Sequence, residues 1–379
     1  MDVHALAELQ RGFNAATDEK VTYKPFRSQL AKPQFPLFAK ALFAHLLTHL
    51  TTPVLKALPQ AVLARFEDII IQDGSSFGLH HGLKDTFPGR FTTVCTAAVE
   101  LHVAFSVFLD APVHVELAPD SQGERDFLPQ PSALADKLLL TDRGYQDIDY
   151  CCRVAQAGGS FIVHFKTNLN PTILHARFHG SRQRRFENKK LRSVLSAFKG
   201  KSVDLLVQWP NRKGKPTLRL VLIWNPAHDQ HMHLATNLDR KEAGVLVVMG
   251  LYRLRWQIEL LFKHWKSWSN VHKFITANEH IAEGLIWFGL CAAFIKRYLA
   301  HATESVCEGI EISTMIVAKA ARHHLPQLLK ALRLGRYVRA AIIKMVDFLA
   351  HNAKRTNLKR ESRYGRRQAG LQPVWEAAP

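Results

Sequence analysis

Acidic residues are in short supply. The 379-residue chain carries 32 Asp and Glu against 51 Lys and Arg, a formal net charge of +19. An excess this large points to an acidic polymer as partner, with nucleic acid the default and a merely nonspecific basic protein the plainer reading. No long basic amphipathic helix stands alone, which weighs against a membrane surface. Cysteine is scarce too. Cys95, Cys151, Cys152, Cys291 and Cys307 are odd in number and form no CxxC pair, which excludes a disulfide framework for so large a chain. The 20 histidines have no cysteine partners at zinc spacing. Long apolar runs are missing. The longest, Gly284 to Ile295, is too short to span a bilayer and leads into Lys296 and Arg297. The start, Met1-Asp2-Val3-His4, has no signal-peptide pattern. A soluble, cytoplasmic protein without a membrane partner is expected. Repeats and low-complexity segments are also absent. What is plentiful is core-forming material: 47% of the residues are hydrophobic, enough for two or three folding units.

Residues 1 to about 60 read as helical, punctuated by Pro33, Pro36 and Pro53. A small DNA-binding bundle and a packing arm both fit this region, and no convincing helix-turn-helix pattern appears. Phe66 to Asp73, with three consecutive isoleucines, predicts a buried strand ending in the polar turn Asp73-Gly74-Ser75-Ser76. Val94–Phe108 and Val113–Leu117 predict two more strands about the turn at Asp110. Leu138 to Asp142, a helix from about Ile148 to Ala157, the stop Gly158-Gly159 and Ser160 to Phe165 together predict a β-α-β unit. An aspartate stands at the mouth of its first strand. Strand-end aspartates are common as turn residues and caps, so Asp73 and Asp142 are weak signals singly. Asp68 and Asp110 compete with them.

From about 167 to 238 the chain reads as a β-rich insertion. Val203–Trp209 and Thr217–Trp224 predict a hairpin around the basic tip Pro210 to Pro216, either a solvated turn or a tracker of phosphates. Asp239 and Glu242 resemble a capping box opening a helix. Ile281 to Leu299 predicts a buried helix. Beyond residue 301 the chain is helical and increasingly basic. Lys330, Arg333, Arg336 and Arg339 recur every three residues, as on one helical face. The run from Lys354 to Arg367 reads as a flexible tail.

The most informative stretch is Leu251 to Trp268, which lacks Gly and Pro and predicts one helix. At about 100° per residue, Tyr252, Arg255, Glu259 and Lys266 fall within an arc of roughly 60°. Leu254, Ile258, Leu261, Trp265 and Trp268 gather opposite, and Trp256 is assigned to the core. A lone carboxylate among cations suits a metal ion and a phosphate together, although ordinary surface charges on an amphipathic helix fit equally.

The spacing Tyr252-x2-Arg255-x3-Glu259-x6-Lys266 resembles the Y-R-E-K signature of DDE transposases of the insertion sequence four group. Asp73-Gly74-Ser75 resembles that group's first catalytic block, and Asp142-Arg143-Gly144-Tyr145 its second. The resemblance covers roughly residues 63 to 300. It implies an α/β fold: an RNase H-like mixed five-stranded sheet with flanking helices, interrupted by the β-rich insertion. The units would be an N-terminal helical region (1–62, possible DNA-end binding), the first part of the core (63–166), the insertion (167–238), the second part of the core (239–300) and a basic helical C-terminal region (301–379). It further implies Asp73, Asp142 and Glu259 as catalytic ligands of two Mg2+ ions, replaceable by Mn2+. Tyr252, Arg255 and Lys266 would contact DNA.

The chemistry has a physical logic. Three carboxylates on separate elements suit hard, oxygen-seeking cations. By resemblance the protein cuts double-stranded DNA at transposon ends, through hairpin intermediates, and joins the ends to target DNA. It would act as a homodimer in a synaptic complex, nucleoid-associated in a bacterium. An aromatic from the insertion holds a flipped base in the group; Trp209 and Trp224 are candidates, although both also suit the hairpin's packing. The alternatives are an inactive or domesticated DNA-binding protein with the same fold, and a nuclease that cuts without joining.

Overall fold

Ile69, Ile70 and Ile71 are all buried, Ile69 and Ile71 in one hydrophobic layer and Ile70 in another. A strand covered on both faces buries consecutive residues in this way. The computed structural model describes residues 5–91, 93–268, 276–307, 311–355 and 366–376. In chain order they form α1 (Leu6–Thr17), α2 (Tyr23–Leu30), α3 (Gln34–Leu50), β1 (Leu55–Ala57), β2 (Asp68–Gly78), β3 (Ala98–Ser106), β4 (Ala111–Pro119) and β5 (Lys137–Thr141). Next come α4 (Ile148–Gln156), β6 (Ser160–Phe165), β7 (Thr172–Phe178), β8 (Ser181–Arg182), α5 (Leu191–Val194), β9 (Val203–Gln208), β10 (Thr217–Asn225) and β11 (Gln230–Thr236). The chain continues through α6 (Val245–Arg253), α7 (Trp256–Trp268), α8 (Glu279–Ser305), α9 (Thr314–Ala320), α10 (Leu325–Leu334), α11 (Val338–Asn352) and β12 (Leu371–Pro373).

Among the described residues, ten strands make one mixed sheet in the order β4-β3-β2-β5-β6-β11-β10-β9-β7-β8. β2, β5 and β6 are parallel, with α4 making the crossover from β5 to β6. β3 and β4 extend one side antiparallel, and β11 joins β6 antiparallel on the other. Ile148, Cys151 and Val154 of α4 pack with Ile70, Leu139 and Phe161. On the opposite face, Leu251, Leu254, Ile258, Leu261, Ile286 and Leu290 meet Ile69, Ile71, Leu138, Leu140 and Ile162. Each such side chain contributes about 1.5–3 kcal/mol on burial. α3 lies along α8, with Phe43 tilted on Trp287 at 5.6 Å.

The insertion does not stand apart from the sheet. A five-stranded sheet is expected, but β11 pairs with β6 and carries β10, β9, β7 and β8 on as the same sheet. The expected strand ending at Asp73 is longer as well. β2 keeps its pairing with β3 as far as Gly78, so Asp73 lies within a strand, just past the last pair with β5. The helix expected over 251–268 is interrupted. The N–H groups of Leu254, Arg255, Gln257 and Ile258 donate to carbonyls three residues back, a tightened turn between α6 and α7.

The capping box does not form. α6 opens at Gly244, while Asp239 accepts the N–H of Lys241 and Glu242 is drawn off to Arg65. Gly335, at φ 61°, ends α10, so Lys330 and Arg333 sit on a different helix from Arg339. The basic end of the chain is partly docked: β12 pairs with β1, and Arg366 pairs with buried Asp110, which also binds Arg297 at 2.6 Å. Asn270 to Ile275, Lys359, Arg360 and Arg363 lie outside the described residues, as does the side chain of Trp268. No described helix is long and apolar enough to cross a membrane.

A buried ion cluster ties the insertion to the segment leading into α6. Asp204 on β9 accepts two hydrogen bonds from Arg219 on β10, at 3.1 and 3.0 Å, and two from Arg240, at 2.9 and 3.0 Å. Removing one member of a buried cluster leaves uncompensated charge. Asp204→Ala should therefore cost about 3–5 kcal/mol of stability, read from urea unfolding. A loss under about 1 kcal/mol would show that Arg219 is satisfied without it.

Candidate active site

The register of three parallel strands builds one row of polar side chains. Gln72 pairs with Thr141 and Thr141 with Val163, so the next residues, Asp73, Asp142 and His164, stand level. Two residues earlier, Ile71, Leu140 and Ile162 all belong to the layer under α6–α8. Side chains two apart share a face of a strand, so the row faces α7.

α7 brings the second half of the site. Its buried side, Ile258, Leu261, Phe262 and Trp265, anchors it on the sheet. Arg255, in the tightened turn just before α7, donates to Asp73 Oδ2 at 2.7 Å and to Glu259 Oε1, on the polar side of α7, at 3.1 Å. Lys266 Nζ donates to the Ser76 carbonyl of β2 at 2.8 Å, pinning the far end of the helix. Tyr252 is buried rather than displayed, because the tightened turn carries it inward, edge-on to His164 at 6.1 Å between ring centroids. Asp73 and Glu259, two of the expected trio, thus share one guanidinium. Asp142 makes no direct bond to it; its Oδ1 accepts the N–H of Gly144 at 2.9 Å, as Asp73 Oδ1 accepts that of Gly74 at 2.9 Å.

Burial pushes the Asp73 carboxyl up to about 7; Arg255 opposes the shift, and Asp142 and Glu259 add to it. This is what repelling carboxylates in a dry site should do. Burial works against the charge of Arg255, and Tyr252, Asp73 and Glu259 hold it up. Burial lowers Lys266, with Glu259 and Glu100 opposing. His164 is lowered by burial and Arg143, with Asp142 opposing. Among the described residues, no three of His, Cys, Asp or Glu stand close enough together to share a metal ion.

One other expectation changes, at Trp256, while Trp209 and Trp224 pack as the hairpin reading has them. Trp256 is 49% exposed beside the site rather than in the core. Trp209 is buried against Phe165, and Trp224 is half-buried against His231. The competing aspartates have structural partners. Asp68 accepts the N–H groups of Ile69 and Phe108, and Asp110 is held well below the usual carboxylate range, Arg297 and Arg366 overcoming its burial. Sequence reading missed His164. Counting from Asp142 to the level position on the next parallel strand would have found it. It also missed Glu100 and Glu124, which lie behind the backbone beside the two aspartates and have no sequence-local signal.

This arrangement, acidic groups on a mixed sheet under a carboxylate-bearing helix, sits in a stretch with a defined family. Residues 64–295 match the family described as Transposase DDE domain. The match spans more than half of the chain, which belongs to that family of DNA-processing enzymes. Among curated proteins it is similar to the transposase for insertion sequence element IS1151 of Clostridium perfringens, 21% identical over 86% of this chain and 76% of the relative. It is also similar to the transposase for insertion sequence element IS231C of Bacillus thuringiensis subsp. berliner, 20% identical over 79% and 71%. The probable transposase for insertion sequence element IS5377 of Geobacillus stearothermophilus is 25% identical over 55% of this chain and 51% of its own.

Because Asp73 rises from 3.8 to about 7 on folding, the folded chain binds more protons than the unfolded one between those values. The Asp73 contribution to stability therefore falls as pH rises through that window. With EDTA present, the urea midpoint of Asp73→Asn should gain on the wild type's between pH 5 and pH 8. A difference that is flat with pH would remove the shifted carboxyl from the account.

Proposed function

We propose that the chain is a cut-and-paste transposase of the insertion sequence four group, with Asp73, Asp142 and Glu259 as its catalytic carboxylates. The observation that carries this reading is Arg255, held between Asp73 and Glu259, residues 186 positions apart in sequence, with the charge of Asp142 also felt at Asp73. The order of the first five sheet positions, β4-β3-β2-β5-β6, supports an RNase H-like core in which β7–β11 form the insertion. The unit boundaries are those expected above, with 1–62 and 301–379 as flanking regions.

The donor set is all oxygen, and burial first, with Asp142 and Glu259 adding to it, raises Asp73 against the pull of Arg255. Asp73, Asp142 and Glu259 would hold two Mg2+ ions, or Mn2+, once Arg255 releases Asp73. When bound there, divalent ions would supply charge stabilisation for an attacking water and for the leaving 3′ oxygen. Arg255, freed from its carboxylates, pairs with the DNA phosphate beside the scissile bond, where its planar fork suits phosphate oxygens. Tyr252, buried beside Arg255, orients that guanidinium, and Lys266 steadies the strand from the Ser76 side. Cleavage exchanges one P–O bond for another with water. Joining repeats the exchange with a DNA 3′ hydroxyl as nucleophile, after a hairpin at the transposon end. The basic insertion and C-terminal region neutralise the two duplexes, ends and target. A bacterial cytoplasm, in contact with the nucleoid, is the place where such DNA is met.

Two ends processed together call for a homodimer in a synaptic complex. Residues 301–350 supply its interface, with Leu332, Leu334, Ile342 and Ile343 exposed there. A second reading, a DNA-binding protein without activity, draws on the same guanidinium, which occupies the space between two of the carboxylates.

Incubating the protein with its element's end DNA and Mg2+ or Mn2+ should give strand cleavage and joined product, and Glu259→Gln should reduce both to background. Intact cleavage by Glu259→Gln would sink the assignment. DNA binding with no metal-stimulated cleavage by the wild type would favour the inactive protein, and cleavage without joining a nuclease. In analytical ultracentrifugation the protein should dimerise on paired ends; a monomer that integrates both ends in concert would refute the dimer.

A further inference from the structure

Gly74 and Gly144 follow the two aspartates, and a glutamate carboxylate lies against each. A Cβ at Gly74 would collide with Oε1 of Glu100 on β3. A Cβ at Gly144 would collide with Oε2 of Glu124, in the turn after β4. Each glycine donates its N–H to the neighbouring aspartate's Oδ1. A glutamate therefore backs the backbone beside each aspartate, in the space where a side chain is missing.

One residue gathers both glutamates. Arg90, in the excursion between β2 and β3, donates to Glu100 Oε2 at 3.1 Å and to Glu124 Oε1 at 3.4 Å. It is itself fixed at Asp120: its N–H reaches Oδ2 at 3.0 Å and its Nε the carbonyl at 3.1 Å. Asp120 in turn accepts from Ser76 of β2 at 2.5 Å. Glu100 is 3% exposed; burial pushes its carboxyl up to about 7, and Arg90 opposes the shift.

We propose that Arg90, with Glu100 and Glu124, is a positioning device for the two catalytic aspartates. Arg90 clamps the glutamates, the glutamates brace the backbone at Gly74 in β2 and at Gly144 after β5, and that backbone aims Asp73 and Asp142 at a common point. The row in the sheet sets the level of the two carboxylates; the clamp sets their orientation. This rests on the transposase reading above, in which both aspartates hold divalent cations. Residues that orient metal ligands from behind typically cost about 10–100-fold in metal affinity when changed.

The test is Mn2+ binding by the full-length protein, followed by calorimetry. Binding that survives in the Asp73→Asn/Asp142→Asn double variant is subtracted. Arg90→Gln and Glu124→Gln should each weaken the remaining affinity by about tenfold or more, with the melting temperature and end-DNA binding near wild type. Arg90→Lys, which keeps the charge but loses the fork, should fall between Arg90→Gln and wild type. The Mn2+ concentration needed for cleavage should move in parallel. If Arg90→Gln does not fold, Glu124→Gln decides, because Glu124 lies in a partly exposed turn. Wild-type Mn2+ affinity in the folded variants overturns the proposal. A wild-type protein that neither binds Mn2+ nor cleaves end DNA overturns the transposase reading, and this one with it.

Discussion

Buried carboxylates repel one another, and the centre of this protein is arranged around that repulsion. Asp73 is 8% exposed with Asp142 and Glu259 close enough to raise its pKa. A single guanidinium, Arg255, bridges Asp73 and Glu259. The tightened turn before α7 and the apolar underside of that helix serve to bring this one cation to the aspartate row. Without it, α7 would set a third negative charge against two others in a partly dry site, at a cost of several kcal/mol.

The sheet extends this logic outward. Parallel pairing of β2, β5 and β6 puts Asp73, Asp142 and His164 in one row with no need for a loop to reach across. β11 then continues the sheet from β6, so the insertion is rigidly connected to the row. The Asp204–Arg219–Arg240 cluster closes the far side, where the chain leaves the insertion for α6. The basic loops of the insertion are held at a set distance from the carboxylates by a continuous ladder of backbone hydrogen bonds. Behind the row, the carboxylates of Glu100 and Glu124 lie against Gly74 and Gly144.

Much of this was legible from local pattern. Three isoleucines in a run required a doubly covered strand, and Gly158-Gly159 after an amphipathic segment placed the β-α-β unit within a residue or two. Glu259 stands on α7 as expected, and Arg255, in the turn just before it, forms an ion pair with it. Less was legible where a distant partner decides the outcome. Glu242 sits at capping-box spacing, yet Arg65 takes it. Trp256 has the composition of a core residue, but the tightened turn rotates it outward. The basic tail looks disordered by charge, yet β1 offers β12 an open edge and Asp110 offers Arg366 a buried counter-charge.

By itself, the sequence determined the strand and helix that carry each acidic residue, because periodicity and turn chemistry act over a few positions. It also determined the strongly basic character of the surface, because charge is additive along the chain. Only the tertiary structure decided that Asp73, Asp142 and His164 stand level, since register depends on which strands pair. It decided, too, that Arg255 neutralises Asp73, and that Glu100 and Glu124 stand behind the two glycines. These are contacts between residues 10 to 182 positions apart, closed by packing that no local pattern encodes.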